Sequence, residues 1–350
     1  MGDADLTESV CASVRSAYER NAPIEVVGGG SRRDFGRAPI GEPLSLAGHC
    51  GIIGYEPGEY VITVRSGTPI ADIEAAVAAH GQMLLAELPR ADQRSTIGGA
   101  VALGLTGPGR PYRGSLRDAV LGVRVVTGTG QLLRFGGQVL KNVAGFDVSR
   151  LMVGAYGTLG VLLDVTLRLA PRPEEEAVRI LHCDWPAACS RLLHWSGRLP
   201  LSGASYYGDH LRVRLSGDGA LVARAAAQIG GDAAPIGEFH ALRDLRLARL
   251  QTPAVALWRV LVPPATPLGP AESIIDWGGA QRFWATAEAA ATVRQFASDR
   301  GGQAVWLKGP DRGGDVWPVS SIATLALLGR LKGALDPHHV LNRGRLFPAW

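Results

Sequence analysis

A short apolar run, Ile24 to Val27, empties into three consecutive glycines and a serine, Gly28-Gly29-Gly30-Ser31, followed by Arg32 and Arg33. Consecutive glycines after a strand can adopt positive φ and turn several main-chain N–H groups towards one point, forming a nest for phosphate oxygens. Ser31 adds a hydroxyl donor. Taken by itself, the loop is as consistent with a tight surface turn as with a nest. It is not a Walker loop, because Gly-Lys-Ser/Thr is missing, and it lacks the Gly-x-Gly-x-x-Gly of a dinucleotide fold, because Arg33 holds the last position. Arg32 and Arg33 either bring charge to a phosphate or face solvent.

The rest of the chain supplies the context. At 350 residues it has room for two domains at roughly 150 residues each. A helical pattern over residues 5–19 precedes the first strand. Tyr60 to Arg65 alternates like a strand, and Thr68-Pro69 reads as the cap and first residue of a helix with Ile70, Ile73 and Val77 on one face. Small residues crowd Ser95 to Leu105 and allow close backbone approach. Residues 119–126 and 132–135 flank Thr127-Gly128-Thr129-Gly130 as a hairpin. An apolar strand ends at Leu169, and Pro171 and Pro173 mark a boundary. Beyond it, shorter alternating signals over 178–183, 187–197, 202–207, 212–215 and 220–229 describe a small α+β domain. The Pro-rich stretch 263–270 reads as an exposed turn.

Several functions are excluded by composition. The apolar stretches fall short of the roughly 18 to 20 uncharged residues that a membrane helix needs. The polar, acidic start, Met1-Gly2-Asp3-Ala4-Asp5, has no signal-peptide pattern and points to the cytoplasm. The net charge of +4 is spread along the chain with no basic run longer than two, so nucleic acid is not expected. Cys11, Cys50, Cys183 and Cys189 form no Cys-x-x-Cys pair, and His338-His339 lacks a ligand partner at useful spacing, so no metal site is assigned. Trp258, Trp277, Trp284, Trp306 and Trp317 are read as core of the second domain, with an interface role as the alternative.

Further constellations follow the first loop in a fixed order. They are Pro89 followed by Thr96-Ile97-Gly98-Gly99, Arg113-Gly114-Ser115-Leu116-Arg117-Asp118, Lys141 to Asp147, Gly157-Thr158-Leu159-Gly160, and Leu341-Asn342-Arg343-Gly344-Arg345. Together they resemble the FAD-binding fold of the vanillyl-alcohol oxidase type, and within it the smaller FAD-binding subunits of bacterial glycolate oxidases. The resemblance covers about residues 24–170 and 335–350, and is loose between them.

The resemblance implies an α+β chain with a PCMH-type (vanillyl-alcohol oxidase-like) FAD-binding domain, residues 1–172 completed by 331–350, and a small α+β cap domain over 173–330. It implies that Gly28, Gly29, Gly30 and Ser31 wrap the FAD pyrophosphate with Arg32 and Arg33 nearby. Pro89, Thr96, Gly98, Gly99, Arg113, Gly114 and Ser115 would line the flavin cleft, and Gly160 and Val161 would contact the adenine end through backbone groups. Many relatives tether the flavin through a His in the first loop; Ser31 stands there, so non-covalent FAD is expected. The function implied is oxidation of glycolate to glyoxylate as the FAD-binding subunit of a glycolate oxidase complex. Its partners would be a larger FAD-containing subunit and an iron–sulfur subunit, with membrane association through the complex. The His/His/Glu metal set and basic substrate clamp of hydroxy-acid oxidising relatives are not found, so no catalytic residue is assigned. Two alternatives stay open: a non-catalytic or electron-relaying accessory subunit, and a free-standing FAD oxidoreductase of another alcohol or hydroxy acid.

Overall fold

A computed structural model describes residues 3–137, 148–252, 254–270, 274–310, 314–318, 321–348 and 350. The Lys141 to Asp147 motif lies outside the described residues. The chain divides into two compact units, one made of Met1–Leu105, Ser115–Arg172 and Arg312–Trp350, the other of Thr106–Gly114 and Pro173–Asp311. Two stretches therefore sit elsewhere than a simple cut at 172 and 331 puts them: 106–114 belong to the second unit, and 312–330 to the first.

The first unit begins with helix α1 (Thr7–Glu19), strand β1 (Ile24–Val27) and strand β2 (Glu42–Ser45). β1 and β2 pair in parallel, with Ile24 opposite Glu42 and Val27 opposite Ser45. Next come β3 (Ile52–Glu56), β4 (Val61–Arg65), α2 (Ile70–Ala78), β5 (Gln82–Leu84) and α3 (Ile97–Leu103). A helical turn, α4 (Arg110–Arg113), falls in the second unit; α5 (Leu116–Ala119), β6 (Val120–Val126), β7 (Leu132–Gly136), α6 (Val148–Leu151) and β8 (Val161–Pro171) return to the first. The larger sheet runs β3-β4-β8-β6-β7, with β5 on the far end of β8. Central β8 is flanked by partners on both edges and is almost wholly buried, which fits its run of Val and Leu. Ile70, Ile73 and Val77 all lie at zero exposure in the core beside it. The Thr68-Pro69 expectation shifts by one place: α2 starts at Ile70 with Pro69 before it, and the Thr68 hydroxyl instead accepts from the Gly51 N–H at 2.9 Å.

The second unit carries an antiparallel sheet built from β9 (Glu175–His182), β10 (Leu201–Tyr207), β11 (His210–Gly217), β12 (Asp232–Ala234), β13 (Ala256–Leu261), β14 (Ile274–Asp276), β15 (Gln281–Thr286) and β16 (Gln303–Lys308). Their order is β12-β9-β11-β10-β14-β15-β13-β16. Helices α7 (Trp185–Trp195), α8 (Gly219–Ile229), α9 (Gly237–Arg243) and α10 (Ala290–Ser298) accompany it, and α11 (Ile322–Leu335) rejoins the first unit. Trp258 stands opposite both Trp284 on β15 and Trp306 on β16, so three indoles cross adjacent strands in one row. All three are buried, as is Trp277, whereas Trp317 is half-buried and belongs to the first unit, which corrects its placement in the second. The stretch 263–270 is largely exposed but is pinned at Thr266, whose carbonyl accepts from Trp185 Nε1 at 2.9 Å and from the buried guanidinium of Arg282.

At the start of α1, Asp5 accepts from the Thr7 N–H at 2.8 Å. Hydrogen bonds from Thr7 lower its pKa from 3.8 to about 2, with smaller help from His49 and Arg124. A depressed carboxylate stabilises the fold above its unfolded pKa and loses that contribution as pH falls through the folded one. Acidification across that window is expected to destabilise the native chain more than Asp5→Asn. The difference should stay within about 1 kcal/mol because the carboxylate is half exposed. Thermal unfolding midpoints of both proteins against pH check this.

Candidate functional site

β1 ends at Val27, and the chain then turns through Gly28 to Ser31 along the rim of a cleft of about 1040 Å³ that includes its open mouth. Gly30 takes φ +70°, the left-handed region that glycine enters without cost. The close approach matters more at Gly29, where an added Cβ would overlap the carbonyl oxygen of Arg94. A second close approach brings Gly98 against Ser66, with an added Cβ 2.6 Å from the Ser66 Cβ. These contacts bring the 28–31 loop and the start of α3 to one cleft.

The donor set suits an anion. Among the described residues, the main-chain N–H groups of Gly28, Gly29, Gly30 and Ser31 donate to no protein acceptor. Orphaned main-chain donors are costly unless water or a ligand takes them, and phosphate oxygens are matched acceptors. Ser31 Oγ and Ser95 Oγ share a hydrogen bond at 3.0 Å, and Ser95 Oγ also accepts from the Ala91 N–H at 3.0 Å, which fixes the hydroxyl pair in the wall. At the start of α3, the Thr96 hydroxyl caps the helix by accepting from the Gly99 N–H at 3.3 Å.

Of the residues singled out in the sequence, Gly28, Gly29, Gly30, Ser31, Arg32, Arg33, Pro89, Thr96, Gly98, Gly99 and Gly160 line this cleft together. Arg33 is engaged: its Nε donates to Glu25 Oε1 at 3.0 Å and its Nη2 pairs with the other oxygen, which raises the guanidinium pKa further. Arg32 stacks its guanidinium over Phe35 at 4.8 Å. The side chain of Val161 is wholly buried with Val10, Val14 and Leu163, which leaves its main chain for the expected contact, while Gly160 and Leu162 line the cleft. The alternation of faces along β8 separates it from them. Arg113 and Gly114 fall in the second unit, where Arg113 Nη2 bonds Glu176 at 3.0 Å. Ser115 closes a capping box with Asp118 at the start of α5.

Sequence reasoning did not assign Glu25, Ser66, Ser95, Tyr156, Asn342 or Arg345, all of which line the cleft. For Asn342 and Arg345 the signal was present in the C-terminal motif Leu341 to Arg345. Glu25 gave none, since a lone acid on a strand does not announce an arginine eight residues later as its partner.

Fold and cleft together define a flavoprotein of the PCMH type, vanillyl-alcohol oxidase-like. A model described as an FAD binding domain matches residues 4–136. The chain is 38% identical over 348 residues to glycolate oxidase subunit GlcE of Escherichia coli (strain K12), covering 99% of this chain and 98% of that one. It belongs to that family of FAD-binding oxidoreductase subunits. Glycolate oxidase subunit GlcD of Bacillus subtilis (strain 168) is 32% identical over 170 residues, 48% of this chain and 36% of that protein. A solved alkyldihydroxyacetonephosphate synthase superposes with a TM-score of 0.67 at 16% identity, covering 96% of this chain and 75% of that one, and shows the shared fold.

Replacing Gly29 by Ala forces the loop away from Arg94. Overpacking of this kind costs about 1 to 3 kcal/mol. The expected result is FAD affinity weakened by roughly ten- to hundredfold, measured by titration of flavin fluorescence.

Proposed function

We propose that this chain is the FAD-binding subunit of a glycolate oxidase complex and takes part in oxidising glycolate to glyoxylate. Its partners in that reading are a larger FAD-containing subunit and an iron–sulfur subunit, in the cytoplasm. The observation that carries it is the end-to-end similarity to a glycolate oxidase subunit, which spans both units rather than the cofactor domain alone. The similarity to a second glycolate oxidase subunit, confined to about half of this chain, is consistent with two related flavin domains in one assembly. No described helix is long and apolar enough to cross a membrane.

The chemistry that FAD supplies when bound is hydride acceptance followed by one- or two-electron transfer. What this chain contributes is placement. The N–H groups of Gly28 to Ser31 would hold the pyrophosphate oxygens, with the Ser31 and Ser95 hydroxyls beside them. Glu25 keeps the Arg33 guanidinium at the rim of the same cleft, and the pairing leaves no net negative charge from Glu25 facing a phosphate there. Ile70, Leu103, Leu105 and Leu162 give the cleft apolar walls that exclude water from a bound ring.

The test is the visible spectrum of the purified chain, repeated after anaerobic addition of glycolate. A yellow protein that bleaches establishes hydroxy-acid oxidation in this chain. One that stays oxidised alone but bleaches once the partner subunits are added assigns the oxidation step to them. A chain that neither holds nor takes up FAD, alone or with its partners, overturns the proposal. With Ser31 at the tether position, acid denaturation is expected to release the flavin wholly into the supernatant; colour in the protein pellet would contradict non-covalent binding.

A further inference from the structure

Two charged side chains in the first unit are fully buried and lie outside the cofactor cleft. Lys332, in the last turn of α11, uses its three ammonium donors on three acceptors: the Thr158 carbonyl at 2.6 Å, Asp336 Oδ2 at 2.6 Å and the Leu341 carbonyl at 3.2 Å. Asp336 in turn accepts from the N–H of Val340 at 3.0 Å and of Leu341 at 2.8 Å. The pair thus ties together the end of α11, the turn at Thr158 and the C-terminal tail, with every donor of the ammonium satisfied.

From that knot the tail runs beside β1. The Ile24 N–H donates to the Val340 carbonyl at 2.8 Å, and the Asn342 N–H donates to the Ile24 carbonyl at 2.9 Å, with Leu341 bridged in parallel to Ile24. The Asn342 side chain then spans the cleft wall. Its Oδ1 accepts from the Val26 N–H at 2.6 Å, and its Nδ2 donates to the Tyr156 carbonyl at 2.6 Å. Asn342 itself sits at φ +45°, in the left-handed region that asparagine enters more readily than other residues with a side chain. Val26, Tyr156, Gly157 and Asn342 all line the cleft. A Cβ on Gly157, also left-handed, would stand 2.6 Å from Asn342 Nδ2, so the amide is fitted to that turn.

A buried ion pair is a weak source of net stability, because desolvation offsets most of the attraction, and well-packed apolar residues often replace it without loss. Apolar residues cannot take the N–H groups of Val340 and Leu341 or the carbonyls of Thr158 and Leu341. We propose that Lys332 and Asp336 form a clasp that holds Asn342 in the wall of the FAD cleft, so that seating of the C-terminal tail and retention of the cofactor are one coupled equilibrium. The two are positioning residues that act through Asn342, and the inference rests on the reading of this cleft as the FAD site. Coupling of this kind is reciprocal: what tail order does for FAD, FAD does for tail order.

The decisive variant, in the full chain, is Lys332→Met combined with Asp336→Leu, which keeps the site filled and uncharged. The expected result is a folded apoprotein with a lowered unfolding midpoint, because four main-chain groups lose their partners, and an FAD dissociation constant raised by about 5- to 150-fold. A native dissociation constant in the folded variant overturns the clasp. The reciprocal measurement uses the native chain and holds even if the variant does not fold. Amide hydrogen exchange at residues 340–343 is expected to slow on saturation with FAD, and exchange that is the same with and without FAD overturns the coupling. Gly29→Ala separates the two levels. If it binds FAD normally, the cleft reading itself fails; if it loses FAD while the clasp variant keeps it, only the clasp fails.

Discussion

The main chain at Gly29 runs so close to the carbonyl of Arg94 that no side chain fits between them, and the cleft depends on that approach. It seats the glycine loop against the segment that leads through Ser95 and Thr96 into α3. Donors from both segments then line one cavity. The four N–H groups of the first of these segments, which donate to no protein acceptor among the described residues, line the half-open cleft and suit the oxygens of an anion.

The loop is held in turn by what lies behind it. β1 has β2 on one side and residues 340–342 of the tail on the other, so the strand that launches the glycine loop is paired on both edges. The Val26 to Asn342 bond joins positions 316 residues apart, and it closes only when α11 and the tail have folded back on the first unit. Charge is handled by the same logic within the cleft. Glu25 is nearly buried at the mouth of a site suited to anions, and the bidentate geometry from Arg33 neutralises it there.

The second unit buries polarity of its own. Arg214 is 2% exposed, with Nε on the Ser202 hydroxyl at 3.1 Å and Nη2 on the Ser202 carbonyl at 2.7 Å. Tyr112, brought in by the 106–114 segment, packs against the core of this unit, and burial with the nearby Asp276 charge pushes its hydroxyl pKa upward, so it stays a protonated donor. Both groups place polarity inside this unit, Arg214 through its hydrogen bonds to Ser202 and Tyr112 through its packing against the core.

What could be read from sequence was local. Ile24 to Val27 as a strand, the hairpin of β6 and β7, and the Ile70, Ile73 and Val77 face of α2 all follow from patterns repeated over a few residues, and the structure has each of them. The glycine constellations were legible because close approach excludes a side chain and left-handed turns favour glycine. The partner of Glu25, the assignment of 106–114 to the second unit and the Lys332–Asp336 knot were not. Each depends on which distant segments meet, and a one-residue shift of strand face or a tail folded back across 316 positions leaves no periodic trace in the chain. The sequence by itself determined local strands and helices and an ordered series of glycine motifs that resembles an FAD-binding fold; tertiary structure alone decided which side chains close around the cleft, because contacts across a fold are set by register and packing rather than by neighbours in the chain.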